Sequence, residues 1–256
     1  MEGRGAEMNW ANLTWPEIQR RLEGGLTATI LPIGATEQHG PHLGVGMDSS
    51  LAEKLADAVA KVCEVPRLPT LPYGCSLGHS HRWPGTIALR PQTLIDVVVD
   101  TGRWLFDAGF TRLFIVNGHV GNQAPLRCAL EILRAECEDF KIAIFTTGTL
   151  SDRVKSQFDE DASDWHANAA ETALMMHLCP ELVREDRIRE ADDPDRTGDC
   201  VFAHPVNRTS RNGVTGQPSL ASVEMGDALF KIMVEDLSQQ IAKGLEEHSP
   251  LDVSFH

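Results

Sequence analysis

The amino-acid sequence predicts an α/β fold in which a parallel or mostly parallel central sheet is covered by helices on both faces. Three observations carry this expectation. Short apolar runs rich in β-branched residues recur at 26–33, 112–116 and 141–146. Between them lie longer segments with apolar residues at helical spacing, and the two strongest runs each end in a polar loop. With 256 residues, 42% of them apolar, and no low-complexity tract, the chain can bury a sizeable core and is expected to form a single domain over 1–256.

Taken in order, Leu26 to Ile33 reads as a buried strand closed by a Pro- and Gly-containing loop. A helix follows, with Leu51, Leu55, Ala58, Val59 and Val62 on one face and Asp48 or Ser49 as its N-cap. Pro66 to Tyr73 holds three prolines, which remove backbone donors, so it reads as an edge strand or extended segment. Pro91 to Gly109 is bracketed as a helix by a proline near its start and a glycine past its end. Arg112 to Val116 is the next strand, stopping at Asn117-Gly118-His119. A helix from about Ala124 to Glu138, a strand from Lys141 to Thr146 and a helix from Ala169 to Leu178 follow. The polar stretch 185–221, with several Gly, Pro and Asn residues, is too long for a simple connection and reads as a lid or interface before a final helix at 224–245.

Composition narrows the function classes. A formal net charge of −14, from 23 basic and 37 acidic residues, opposes binding to a phosphate backbone, and no basic patch offsets it. No apolar stretch approaches the roughly 18 to 20 residues that span a bilayer, and residues 1–6 carry no basic-then-apolar signal pattern, so a cytoplasmic protein that binds neither membrane nor nucleic acid is expected. The six cysteines lack a C-x-x-C pair, which argues against a thiolate zinc site or a disulfide framework and for reduced, mostly buried thiols.

Chemistry concentrates in the loop from Gly34 to Asp48. Glu37, His39 and His42 lie within six residues directly after a buried strand, and Asp48 closes the loop. In an open parallel sheet, ligands bind at the carboxyl ends of the strands, and the strand at 112–116 would deliver His119 to the same rim. Mixed carboxylate and imidazole donors suit zinc, manganese or iron. Spacing alone leaves blander readings open: a solvated loop acid at Glu37, backbone-bonded histidines at 39 and 42, and a helix cap at Asp48.

The run Leu31-Pro32-Ile33-Gly34-Ala35-Thr36-Glu37-Gln38-His39-Gly40-Pro41-His42-Leu43, followed by Asp48, closely resembles the opening signature of the creatininase (creatinine amidohydrolase) family. Further blocks agree in order. They are Ser76-Leu77-Gly78-His79 with Trp83-Pro84-Gly85-Thr86, then Asn117 to Asn122, then His166-Ala167 with Glu171, and last Gly213-Val214, Gly216, Pro218 and Gly226. The resemblance spans roughly 31–226. It implies a three-layer α/β/α domain, a centre of two divalent ions per chain (Zn, Mn or Fe), and assembly as a homohexamer. It also implies that Asp48 bridges the ions, with Glu37 and His119 on one and His39 on the other. One departure stands out: creatininase itself is expected to supply a glutamate where this chain has Gly121. Either Glu171 replaces it as ligand, or the second site is weak or empty; Glu171 could instead be a helix-capping residue with Asn168.

The same resemblance makes His166 the candidate acid that protonates a leaving nitrogen, with Glu171 as a second candidate catalytic carboxylate. Ser76 and His79 are candidates for orienting substrate or water. Trp83 and Trp165 are candidate walls of the pocket, although tryptophans are as often simply core. The expected function is hydrolysis of a C–N bond, amide or cyclic amide, in a small polar substrate through a metal-bound hydroxide. Two alternatives remain: hydrolysis of a C–C bond in a cyclic ketone or sugar-derived substrate, and a non-catalytic metal-binding protein.

Overall fold

The computed structural model describes residues 7–79 and 82–251. Three strands, β1 (Ala28–Ile33), β2 (Arg112–Asn117) and β3 (Lys141–Thr146), form a wholly parallel sheet in the order β1-β2-β3. Residues 66–71 run alongside the free edge of β1, with backbone bonds from Ile30 N to Pro66 O (3.0 Å), Leu68 N to Ile30 O (2.8 Å) and Leu71 N to Pro32 O (3.0 Å). The prolines keep this segment from becoming a regular strand, as expected from their missing donors.

The helices are α1 (Trp15–Glu23), α2 (Met47–Cys63), α3 (Pro91–Asp107), α4 (Gln123–Glu136), α5 (Asp152–Phe158), α6 (Ala169–Leu178), α7 (Glu185–Ile188), α8 (Val206–Thr209) and α9 (Val223–Glu246). Alternation along the strands divides the core into two layers, because successive side chains leave opposite faces of a sheet. Ala28, Ile30, Phe114 and Val116 pack with Leu51 and Leu55 of α2, Leu174 of α6, and Leu229, Met233 and Leu237 of α9. On the other face, Leu31, Ile33, Leu113 and Ile115 pack with Leu94 and Val98 of α3 and Leu126 and Leu133 of α4. The result is the three-layer α/β/α arrangement.

Chain order now locates a site. From β1 the chain crosses over α2 to the segment 66–71 on one side, then returns over α3, on the opposite face, to β2 on the other side. The direction of winding thus reverses at β1, and a crevice opens beyond the carboxyl ends of β1 and β2, where open α/β sheets take their ligands. The opposite end of the sheet is formed by the turns before β1 and β2, with the exposed Gly25 and Gly109.

Two expectations are corrected. Asp48 does not cap α2; Gly46 occupies the N-cap and Asp48 sits in the first turn, with its side chain turned inward and buried. Of the cysteines, Cys128 and Cys200 are exposed, because they lie on the outer side of α4 and in the 185–221 stretch. Among the described residues no helix is long and apolar enough to cross a membrane.

Candidate metal centre

The loop leaving β1 and the loop leaving β2 meet the first turn of α2 at the crevice, and three carboxylates and two imidazoles become buried together there: Glu37, Asp48, Glu171, His39 and His119. His119 Nδ1 lies 3.4 Å from Glu37 Oε1 and 3.3 Å from Asp48 Oδ2, and His39 Nε2 lies 3.2 Å from Asp48 Oδ1. Two groups share Asp48: Glu37–Asp48–His119 and His39–Asp48–Glu171, each with its donor atoms within 4.8 Å of one another. A third group, Glu37–His39–His166, adjoins them.

The protein's own hydrogen bonds leave this cluster unfinished. Glu37 Oε2, His39 Nε2 and Asp48 Oδ2 are buried without a hydrogen-bond partner among the described residues, each at a cost of about 1–3 kcal/mol. The remaining atoms of the rings are fixed. His39 Nδ1–H donates to the carbonyl of Glu37 (3.2 Å), which leaves Nε2 toward Asp48. His119 Nε2–H donates to the carbonyl of Cys75 (3.3 Å), with Ser76 Oγ also 3.3 Å away, which leaves Nδ1 toward Glu37 and Asp48. Ligating histidines are held this way, by an acceptor on the nitrogen that does not bind the ion. The donor set and its unpartnered atoms therefore fit two cations of borderline hardness.

Charge in the cluster is strongly coupled. Burial opposes the charge of His39, but Asp48, Glu171 and Glu37 outweigh it and push this imidazole up to about 10; His119 likewise rises to about 9 against its burial, through Glu37 and Asp48. Burial would raise Asp48, yet His39 and His119 hold it well below the usual carboxylate range. Burial raises Glu37, and it raises Glu171 to about 7 despite His39.

Glu171 caps a helix and also stands within reach of the donor cluster. It is the third residue of α6, whose N-cap Asn168 accepts the Glu171 N–H (3.1 Å), while Glu171 Oε2 accepts the N–H of Ala167 (2.6 Å). The same side chain stands beside His39 and Asp48. At position 121, a Cβ would lie 2.4 Å from His119 Nε2 and 2.5 Å from the Cys75 carbonyl, so this loop closes around a glycine and has no room for a side chain.

A cavity of about 520 Å³ opens over the cluster, lined by Ser76, His79, Trp165 and His166 as well as by Glu37, Asp48, His119 and Glu171. His166 Nδ1 is 3.7 Å, and His79 Nε2 4.0 Å, from Glu37 Oε1. His166 is presented by a tight turn: its backbone pairs with Thr215, and the next residue, Ala167, takes φ +52°, a left-handed conformation costly for a non-glycine residue. Trp165 packs on Phe158 (4.7 Å between centroids) and forms part of the wall. Trp83 is not among the residues lining the cavity; it is half-buried with the Arg82 guanidinium 5.5 Å from its ring. His42 points away, its Nε2 bonded to Thr172 Oγ1 (2.8 Å). The 185–221 stretch supplies a further wall through His204, Pro205, Val206 and Thr209.

The creatininase (creatinine amidohydrolase) family profile matches residues 11–241. A creatinine amidohydrolase of Pseudomonas putida is 31% identical over 246 residues, covering 90% of this chain and 94% of that protein. A mycofactocin precursor peptide peptidase of Mycobacterium tuberculosis is 30% identical over 237 residues, covering 85% of this chain and 86% of that one. Among solved structures, a mutant creatininase in a zinc–zinc form superposes with a TM-score of 0.82 (29% identity, 94% of this chain and all of that one), and a manganese creatininase with 0.81 (30% identity, the same coverage).

Proposed function

The chain belongs to the creatininase family, and from that premise we propose that it is a metal-dependent hydrolase that cleaves an amide or cyclic-amide C–N bond in a small polar substrate. The observation that carries the reading is the pair of donor groups sharing Asp48, with three buried oxygen and nitrogen atoms unpartnered beneath an open cavity. In the proposal Glu37, Asp48 and His119 hold one ion, and His39, Asp48 and Glu171 hold the other, Glu171 taking the place that Gly121 vacates. When bound, such a pair supplies a nucleophile from water at neutral pH and Lewis acidity toward a carbonyl oxygen.

The chain's own groups account for the rest. Burial and the neighbouring His39 hold His166 well below 6.5, so its Nδ1 faces the cluster as a free base able to take a proton and return it to a departing nitrogen. Burial, His39 and His119 lower His79 to about 3, which keeps it a neutral hydrogen-bonding group at the wall. Trp165 and the 204–209 wall shield this corner from bulk water, and Ser76, with its Oγ 3.3 Å from His119 Nε2, steadies the ligand ring.

Identity to a creatinine amidohydrolase and to a peptide peptidase is nearly equal, so the substrate choice falls to the cavity. Without a glutamate at position 121, we assign a small polar amide other than creatinine; creatinine turnover at ordinary enzymatic rates would overturn that assignment. By the same membership a homohexamer is proposed, and a monomer by light scattering would remove it. The primary test is metal content by elemental mass spectrometry for wild type and for Glu37→Ala, His119→Ala and Glu171→Ala. About two ions per chain, reduced in all three variants, is expected; no metal even after reconstitution with zinc or manganese would sink the proposal.

A further inference from the structure

We propose that Gln38, buried within the loop that leaves β1, is a positioning residue that mounts His79 and His166 in opposite senses, so that one offers the cavity an N–H and the other a lone pair. The inference rests on the hydrolase reading of the site for its use, but on hydrogen-bond geometry alone for its content.

The orientation of the Gln38 amide is fixed by two partners that allow no exchange. The Gly40 N–H can only donate, and it lies 2.9 Å from the amide oxygen; the Gly213 carbonyl can only accept, and it lies 3.0 Å from the amide nitrogen. One amide hydrogen is thereby committed to Gly213. His166 Nε2 lies 2.8 Å from the backbone carbonyl of Gln38, another pure acceptor, so His166 carries its proton on Nε2 and cannot accept from the amide nitrogen 3.1 Å away. The second amide hydrogen is left for His79 Nδ1, 3.1 Å distant, which must be bare. His79 therefore holds its proton on Nε2.

Both rings are thus Nε2–H tautomers, turned opposite ways. His166 spends its N–H on the Gln38 backbone and shows Nδ1 to Glu37 at 3.7 Å; His79 spends its lone pair on the Gln38 side chain and shows Nε2–H to the same carboxylate at 4.0 Å. Neither approach is a hydrogen bond, so each ring edge is available to a molecule in the cavity. The N–H of His79 suits an oxygen that gains negative charge, and the bare Nδ1 of His166 suits a proton in transfer. A single residue sets both ends of this pair, His166 through its backbone carbonyl and His79 through its side chain, and Gly213 makes room for that side chain: a Cβ there would lie 1.9 Å from the Gln38 amide oxygen.

The direct test is the imidazole nitrogen spectrum of the metal-stripped, 15N-labelled chain at neutral pH, with His79→Asn and His166→Asn used for assignment. Wild type should show a protonated Nε2 and a bare Nδ1 on both rings. Gln38→Glu replaces the donor with an acceptor and should move the His79 proton to Nδ1, while His166, held by backbone, stays unchanged. Gln38→Met should leave His79 as a mixture. An Nδ1–H His79 in wild type, or a His79 spectrum indifferent to both substitutions, overturns the proposal. Because this readout needs neither ion nor turnover, it fails separately from the hydrolase reading. With a substrate in hand, Gln38→Glu and Gln38→Met should keep KM within a few-fold and lower kcat by about 10²-fold, the scale of losing one preorganised donor.

Discussion

At the scale of single residues, the site is built from groups that disagree about their protons, and this has a measurable consequence. Without metal, His39 and His119 titrate near 10 and 9 in the folded protein, against about 6.5 in an unfolded chain. Between pH 7 and 10 the folded state then binds more protons than the unfolded state, so stability falls as pH rises. An ion on each ring displaces those protons and removes this contribution. Thermal melts across pH 7 to 10 should show a steeper loss for the stripped protein than for the zinc-loaded one; parallel curves would contradict the ligand assignment. Position 121 makes a second test, because Gly121→Ala forces a methyl against His119 Nε2. A loss of ten- to a hundredfold in metal affinity is expected from chelator competition, the usual scale for disturbing the group that orients a ligand, and Val120→Ala is its control. Glu37, His39, Asp48 and His119 were singled out as a set by the family resemblance, since spacing and position alone left blander readings open. Gln38 was not, because its role depends on Gly213, 175 positions away in the chain.

At the scale of elements, α6 joins capping to chemistry. Its N-cap Asn168 accepts the Glu171 N–H, and its amide nitrogen donates to the Phe158 carbonyl (2.8 Å) and to Asp161 (2.7 Å). Asn168→Ala should cost the roughly 1 kcal/mol typical of a lost cap, plus about 1 kcal/mol for the buried Phe158 carbonyl and up to about as much for the half-buried Asp161 oxygen it leaves unpartnered. Urea unfolding should show about 2–3 kcal/mol in all, and metal content should fall with it because Glu171 loses its support; an intact midpoint would refute the linkage. The sequence announced α6 to the residue, since its apolar run has a clear N-cap signal. It did not announce α1 or α5. Helix α1 buries no residue fully, and its readable signs are Pro16 in the first turn and the capping box in which Glu17 accepts from both the Thr14 amide (2.7 Å) and its hydroxyl (2.6 Å). Helix α5 has only seven residues, too few to show a period. The expected capping role of Asp48 failed for a related reason: a carboxylate suited to a helix start is equally suited to a cation, and only the fold decides which way it turns.

At the scale of the whole molecule, alternation of strands and helices was enough to foresee the layers, and the reversal of winding at β1 explains why the crevice lies there. The price of that arrangement is a set of unpartnered buried carboxylate and imidazole atoms under one rim, so metal and fold should be thermodynamically linked. With free zinc at 100 times its Kd, binding adds about 2.7 kcal/mol, which for a chain of this size corresponds to a Tm gain of about 5–10 °C. Scanning calorimetry before and after chelation, with zinc restored, measures it; an unmoved Tm would mean that the folded chain does not bind the ions in preference to the unfolded one. The parallel sheet also gives the molecule two unlike ends. The carboxylates and histidines that line the cavity gather beyond the carboxyl ends of the strands, while the turns at Gly25 and Gly109 hang from the other end, exposed and with nothing within 4 Å of an added Cβ. An attachment handle placed at either turn would anchor the protein to a bead or electrode with its mouth facing outward, and the immobilised catalyst should work at its free rate.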